Sequence, residues 1–115
     1  MQPGRFNFTL TQGDTFNTKP AWKVNGNYVN VTGYSAKMDV KIAPTSTSTI
    51  VELSSANGRI TVGTTDGTFE LALTPTETAA LPPGQYVYDL DVTSPGGNVY
   101  TLLTGGFTVV AQVTA

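Results

Sequence analysis

Apolar and polar residues alternate in short runs along most of this 115-residue sequence. The clearest run covers residues 34–42, where every second position is apolar: Tyr34, Ala36, Met38, Val40 and Ile42. Because successive side chains leave a strand on opposite faces, this spacing predicts a half-buried β-strand. The same alternation recurs at residues 6–10, 60–62, 69–73 and 86–92. The pattern therefore predicts an all-β protein.

Glycine-containing turns separate the predicted strands. Asn25-Gly26, Asn57-Gly58 and Asp66-Gly67 each lie between extended runs, and Pro95-Gly96-Gly97 lies between two more. Such residues accept the positive φ that tight hairpins require. We therefore predict at least four hairpins in an antiparallel meander.

Two further stretches interrupt the strands. Residues 43–49 have no large apolar side chain, so we predict an exposed loop there. Gly105-Gly106 divides the last apolar run, which predicts a bulge or bend at which the chain changes sheets.

One short segment has the pattern of a helix start. Thr74 is placed to cap the backbone N–H of Glu77, Glu77 is placed to return the bond, and Pro75 occupies the first helical position. Pro82-Pro83 ends the helix within about two turns. We predict one short helical turn from about Pro75 to Leu81, carrying the chain from one sheet to the other.

Composition excludes most catalytic chemistry. The chain contains neither cysteine nor histidine, so Ser-His and Cys-His pairs, disulfides and nearly all transition-metal sites are ruled out. The net charge is −2 and the six basic residues form no cluster, which argues against nucleic-acid and anionic-membrane partners. No apolar run approaches the ~20 residues that cross a bilayer. The length predicts a single domain over residues 1–115.

The stretch LPPGQYVYDLDV, residues 81–92, places Asp89 and Asp91 two positions apart on the polar face of a predicted strand. That spacing is ~7 Å, which is compatible in principle with an inverting glycosidase pair. Such a pair needs burial in a cleft to raise the pKa of one member. We interpret both carboxylates as solvated, with a calcium or partner contact as the alternative. We predict no catalytic, cofactor-binding or metal-binding residues, and therefore no enzyme.

Two aromatic residues have positions that suggest a role. Tyr86 enters its strand just after Pro83-Gly84 and resembles the tyrosine corner of immunoglobulin-like sandwiches, in which the hydroxyl bonds to upstream backbone. Trp22, the one tryptophan, is interpreted as a packing residue, with a ligand-stacking platform as the alternative.

Several stretches together resemble a family of small immunoglobulin-like β-sandwich proteins of tailed bacteriophage particles, found in collar, tail-fibre attachment, baseplate and head accessory proteins. They are FTLTQGDTF (residues 8–16), Trp22-Lys23, VNVTGYSAKMDVK (29–41), NGRITV (57–62), GTFELALTPTETAALPPGQYVYDLDV (67–92) and LLTGGFTV (102–109). The resemblance covers nearly the whole chain. Its specificity lies in the order and spacing of the stretches rather than in any one of them.

The resemblance implies an antiparallel immunoglobulin-like β-sandwich in the virion, with a structural role, no catalysis and no cofactor. Copies would be held by one another or by neighbouring tail, collar or capsid proteins. The matching stretches are fold elements, so the resemblance assigns no functional residue. The alternative function is a carbohydrate or host-surface binding module on the same fold, with Trp22 and exposed tyrosines as its platform.

Overall fold

A computed structural model describes residues 4–112. Within that range the chain forms β-strands and one short helix, so the all-β prediction is confirmed. The elements are β1 (Gly4–Arg5), β2 (Phe8–Thr11), β3 (Phe16–Thr18), β4 (Lys23–Val24), β5 (Asn27–Tyr28), β6 (Ser35–Lys41), β7 (Thr49–Ser54), β8 (Ile60–Val62), β9 (Phe69–Leu73), α1 (Pro75–Ala79), β10 (Gly84–Thr93) and β11 (Val99–Val110).

The strands form two main sheets and a small ribbon. The larger sheet has the order β11-β10-β6-β7, and β1 and β2 both pair with the remaining side of β11. The second sheet has the order β3-β9-β8, and β4 pairs with β5 alone. All these pairings are antiparallel except those of β1 and β2, which run parallel to β11. The fold therefore differs from a pure meander, because its first and last strands lie side by side.

Three of the four predicted hairpins are confirmed. Asn25-Gly26 joins β4 to β5 with φ values of 52° and 80°, Asp66-Gly67 lies between β8 and β9, and Pro95-Gly96-Gly97 joins β10 to β11. The prediction at Asn57-Gly58 is wrong, because this turn connects β7 in the larger sheet to β8 in the second sheet. The fourth hairpin joins β6 to β7 through the exposed loop predicted at residues 43–49.

Both sheets bury apolar side chains in one shared core. Alternate residues of β6, β9 and β10 supply much of it: Ala36, Met38, Val40, Phe69, Leu71, Leu73, Tyr88, Leu90 and Val92. Ile42 and Phe6, which continue the apolar alternation, are instead 64% and 55% exposed. Ile42 lies past the end of β6, after a register shift between Val40 and Lys41. The alternation therefore identifies the buried face but extends it one residue too far.

The predicted helix start is present at α1. The Thr74 hydroxyl accepts a hydrogen bond from the Glu77 N–H at 3.2 Å, and Glu77 Oε1 accepts one from the Thr74 N–H at 2.8 Å. Glu77 Oε2 also lies 2.6 Å from Arg59 Nε. The hydrogen bond from the Thr74 N–H is the main cause that lowers the pKa of Glu77; burial opposes it, and the Arg59 side chain lowers the pKa further. Because β9 and β10 belong to different sheets, α1 is the predicted crossover.

Gly105 and Gly106 do not move the chain to another sheet, since β11 pairs with β10 on both sides of them. The register shift in β11 falls at Leu102, because Leu90 pairs with Leu103 while Asp91 pairs with Thr101. The prediction at Gly105-Gly106 is therefore wrong.

Gly105 instead allows a close approach of the N-terminal segment. A Cβ on Gly105 would collide with the carbonyl oxygen of Phe6. The Gly106 N–H donates to Asn7 Oδ1 at 2.9 Å, and the Tyr88 hydroxyl donates to the Phe6 carbonyl at 2.7 Å. Side chains thus bond backbone groups at the junction between β1 and β2.

Candidate functional site on the outer face of the larger sheet

The two aspartates singled out in the sequence lie on the outer face of β10, as predicted. Asp89 is exposed and Asp91 is half-buried, with the Thr101 hydroxyl donating to Asp91 Oδ1 at 2.9 Å. In the register with β6, Asp89 lies opposite Asp39 and Asp91 lies opposite Lys37. The two carboxylates therefore have different surroundings, one facing a like charge and the other an opposite charge.

The neighbouring strand extends the acidic group. Asp39 pairs with Asp89 on one side and with Glu52 of β7 on the other, so three carboxylates form a row across adjacent strands. Like charges directly opposite each other on a sheet are destabilising. Asp39 Oδ1 is buried and accepts no hydrogen bond from residues 4–112, while Asp39 Oδ2 lies 3.9 Å from Lys37 Nζ. Sequence reasoning missed this row, because the pairing register between strands decides it.

Charge is concentrated on this face. The chain has six basic and eight acidic residues, and half of these charged side chains lie here. They are Arg5, Lys37, Asp39, Lys41, Glu52, Asp89 and Asp91. A depression of about 420 Å³ lies among them and also borders Thr104, Gly105 and Gly106. The face is therefore of mixed charge, with carboxylates at its centre and cations around them.

The exposure of Asp89 and Asp91 bears on the glycosidase alternative. A carboxylate pair that hydrolyses glycosides needs one member buried in a cleft. Asp89 is exposed and Asp91 is only half-buried, so neither member is fully buried. Among the residues that the structure describes, no three acidic side chains are arranged to hold a metal ion. The arrangement offers charged groups for ion pairs and hydrogen bonds with a neighbouring surface.

The interpretation of Trp22 as a packing residue is confirmed. Its side chain is only 9% exposed, and its ring packs against Tyr34 and Tyr100 with centroid distances of 6.1 and 5.6 Å. A stacking platform would need an exposed ring face. The exposed aromatic ring nearby in sequence is Tyr28, at 54%, and Lys23 Nζ lies 4.5 Å from its centroid.

Tyr86 has the predicted corner geometry. Its hydroxyl donates to the Pro82 carbonyl at 2.7 Å, four residues upstream and just before β10 begins. This bond fixes the chain where it enters the larger sheet after α1. The role of Tyr86 is therefore structural.

Comparison with known proteins yields no match, either to a family model or to a curated protein. Among residues 4–112, no helix is long and apolar enough to cross a membrane.

Proposed function

We propose that the chain is an immunoglobulin-like β-sandwich. Strand order supports this proposal, because β11-β10-β6-β7 and β3-β9-β8 follow the G-F-C-C′ and B-E-D orders of that architecture. The Tyr86 hydroxyl bond to Pro82 adds the tyrosine corner at the start of the F strand. The N-terminal strands depart from the constant-type order, because both β1 and β2 pair with the last strand, β11.

In the proposed sandwich, an aromatic cluster lies where antibody domains have their disulfide between the sheets. Antibody domains carry a cysteine two residues after the corner tyrosine, and Tyr88 occupies that position here. The Phe8 ring lies 5.1 Å from Tyr88, 5.7 Å from Phe16 and 6.3 Å from Phe107, measured between centroids. These rings join strands of both sheets through apolar contact, which needs no oxidising compartment.

We further propose that the protein is a non-enzymatic structural component of a tailed bacteriophage virion, at the collar, tail or head surface. It would be held there by homo-oligomeric contacts or by neighbouring virion proteins. One observation carries this proposal, namely the order and spacing of the stretches quoted above, which resemble the phage family over nearly the whole chain. The longest of them, residues 67–92, includes β9, α1 and most of β10.

The mixed-charge outer face also supports a role in contact. It lies on the central strands of the larger sheet and presents ion-pairing groups to a neighbour rather than enclosing a small molecule. The proposal involves no cofactor, no nucleic acid and no membrane. A carbohydrate-binding function is less favoured, because Trp22 is buried in the core.

Labelling of purified particles tests the location. We expect antibodies raised against the chain to label intact virions at one repeated position, and cryo-electron microscopy of those particles to fit the domain there. Presence in lysates of infected cells together with absence from purified particles would contradict the proposal. Specific binding on a glycan array, abolished by substitution of Tyr28, would favour the carbohydrate-binding alternative.

A further inference from the structure

The two edges of the larger sheet differ in how their backbone groups are protected. At the β7 edge, Asn57 Oδ1 accepts from the Ser54 N–H at 3.0 Å, and Asn57 Nδ2 donates to the Glu52 carbonyl at 3.0 Å. Arg59 Nη1 donates to the same carbonyl at 2.8 Å. A register shift at Ile50 further distorts this edge. Such bonds and bulges prevent a strand from pairing with an edge.

The opposite edge is formed by β1, which carries Arg5, and by β2. The β2 part of this edge has no such protection. The Phe6 and Gln12 N–H groups donate to the carbonyls of Thr104 and Val110. Because the backbone groups of successive residues point to opposite sides of a strand, the N–H and C=O groups of Phe8 and Leu10 also face β11. The N–H and C=O of Thr9 therefore point away from the sheet. Neither group is hydrogen-bonded to any residue between positions 4 and 112.

The side chains along this edge also leave it open. Residues 6–11 include no charged residue and no proline, which are the usual means of blocking an edge. The Thr9 side chain is exposed, while Phe8 and Leu10 on either side of it are buried in the core. A neighbouring strand can thus approach Thr9 without displacing a core residue.

We propose that a second copy of this chain pairs with this edge, β2 against β2 in antiparallel orientation, about a two-fold axis at Thr9. An antiparallel pair centred on a residue whose N–H and C=O both point outward forms two reciprocal hydrogen bonds, here between Thr9 and its symmetry mate. The same axis brings the two Thr9 side chains together on the outer face, where threonine pairs hydrogen-bond across strands. It also relates Phe8 of each copy to Leu10 of the other.

Thr9 is favoured as the centre over its neighbours. The Thr11 carbonyl already accepts a hydrogen bond from the Asp14 N–H at 3.1 Å, and Asn7 lies at the junction where its side chain bonds Gly106. Thr9 alone in this segment combines strand geometry with two outward backbone groups that have no partner within residues 4–112.

The β2–β2 pairing specifies a geometry for the homo-oligomeric contact of the proposed function. Support for this pairing comes only from the sheet edge. Failure to label virions would leave it standing. A monomeric protein in solution would overturn it while leaving contacts with other virion proteins intact.

Charge substitution at the axis tests the proposal. Analytical ultracentrifugation of the wild-type chain should show a monomer–dimer equilibrium at concentrations up to about 1 mM. In T9K and T9E, like charges meet across the axis, so we expect the dimer dissociation constant to rise at least about tenfold for each. Mixing T9K with T9E should restore a heterodimer to within about threefold of the wild-type constant.

Thr61→Lys is the matched control, because Thr61 is an exposed strand threonine in the second sheet. T61K should dimerise like the wild type, and circular dichroism should show that all the variants are folded. A wild-type monomer throughout the concentration range would overturn the proposal. So would a T9K and T9E mixture that dimerises no better than either variant alone.

Discussion

Tyr88 illustrates how one residue serves both the core and a backbone junction. Its ring is buried in the core with 2% exposure, and its hydroxyl donates to the Phe6 carbonyl across 82 positions of sequence. Burial, together with the charge of Asp89, raises the pKa of Tyr88 to about 12. The hydroxyl therefore stays protonated in the folded protein at pH values where an unfolded chain releases its proton.

This shift predicts an alkaline loss of stability. Below about pH 10 both states hold the Tyr88 proton, so its contribution is fully present. As the pH rises from about 10 toward 12, the unfolded chain ionises first and unfolding becomes more favourable. Urea unfolding across this interval should show a smaller loss for Y88F than for the wild type. Y28F, at an exposed position, is the control, and an equal loss in Y88F and wild type would contradict the assignment.

At the scale of elements, the N-terminal strand depends on a close backbone approach. β1 and β2 flank a junction at which Asn7 and Tyr88 side chains bond the Gly106 N–H and the Phe6 carbonyl. Gly105 permits this arrangement because its missing side chain leaves room for Phe6. The missing side chain of Gly105 therefore lets the N-terminal segment lie against β11.

We expect Gly105→Ala to destabilise the protein by about 1–3 kcal/mol, because the added methyl group overlaps the Phe6 backbone. The amide protons of Phe8 and Leu10 should lose protection from hydrogen exchange as β2 separates from β11. Gly96→Ala is the control, since the nearest atom to its Cβ would be Ser94 Oγ at 3.9 Å. Equal unfolding free energies for the two variants would show that the approach at Gly105 is unimportant.

At the scale of the whole molecule, charge is distributed unevenly between the surfaces. The outer face of the larger sheet combines the row of Asp89, Asp39 and Glu52 with nearby cations. A face of this kind costs folding free energy through like-charge pairs, which a neighbouring cationic surface would offset. This offset would support the proposed contact with a neighbouring protein.

The two aspartates of β10 should respond in opposite directions to neutralisation. Asp89→Asn removes repulsion with Asp39, so we expect a gain of about 0.2–1 kcal/mol in unfolding free energy, shrinking at high salt. Asp91→Asn weakens the hydrogen bond from Thr101 and the attraction to Lys37, so we expect a loss of about 0.5–1.5 kcal/mol. Thermal and urea unfolding at low and high salt measure both. A loss in D89N would contradict the pairing with Asp39.

Sequence patterns predicted those parts of the fold that depend on near neighbours. The alternation in β6 and β10, the capping box at Thr74 and the corner bond of Tyr86 all join residues within a few positions of one another. Asn57 shows where a local signal fails, because its turn chemistry is equally suited to a hairpin and to a passage between sheets. Its side-chain bonds to Ser54 and Glu52 stabilise the connection between the two sheets. Whether such a turn forms a hairpin or a connection between sheets depends on which strands pair on either side of it.

Residue types and short-range spacing were enough to predict a β protein with one capped helical turn, and to exclude histidine and cysteine chemistry. These features follow from steric and hydrogen-bonding preferences within a few residues. The parallel position of β2 beside β11, the facing of Asp39 and Asp89, and the contact of Gly105 with Phe6 were decided by tertiary structure alone. Each joins residues at least 50 positions apart, and which strands pair is determined by burial of the whole core rather than by any local segment.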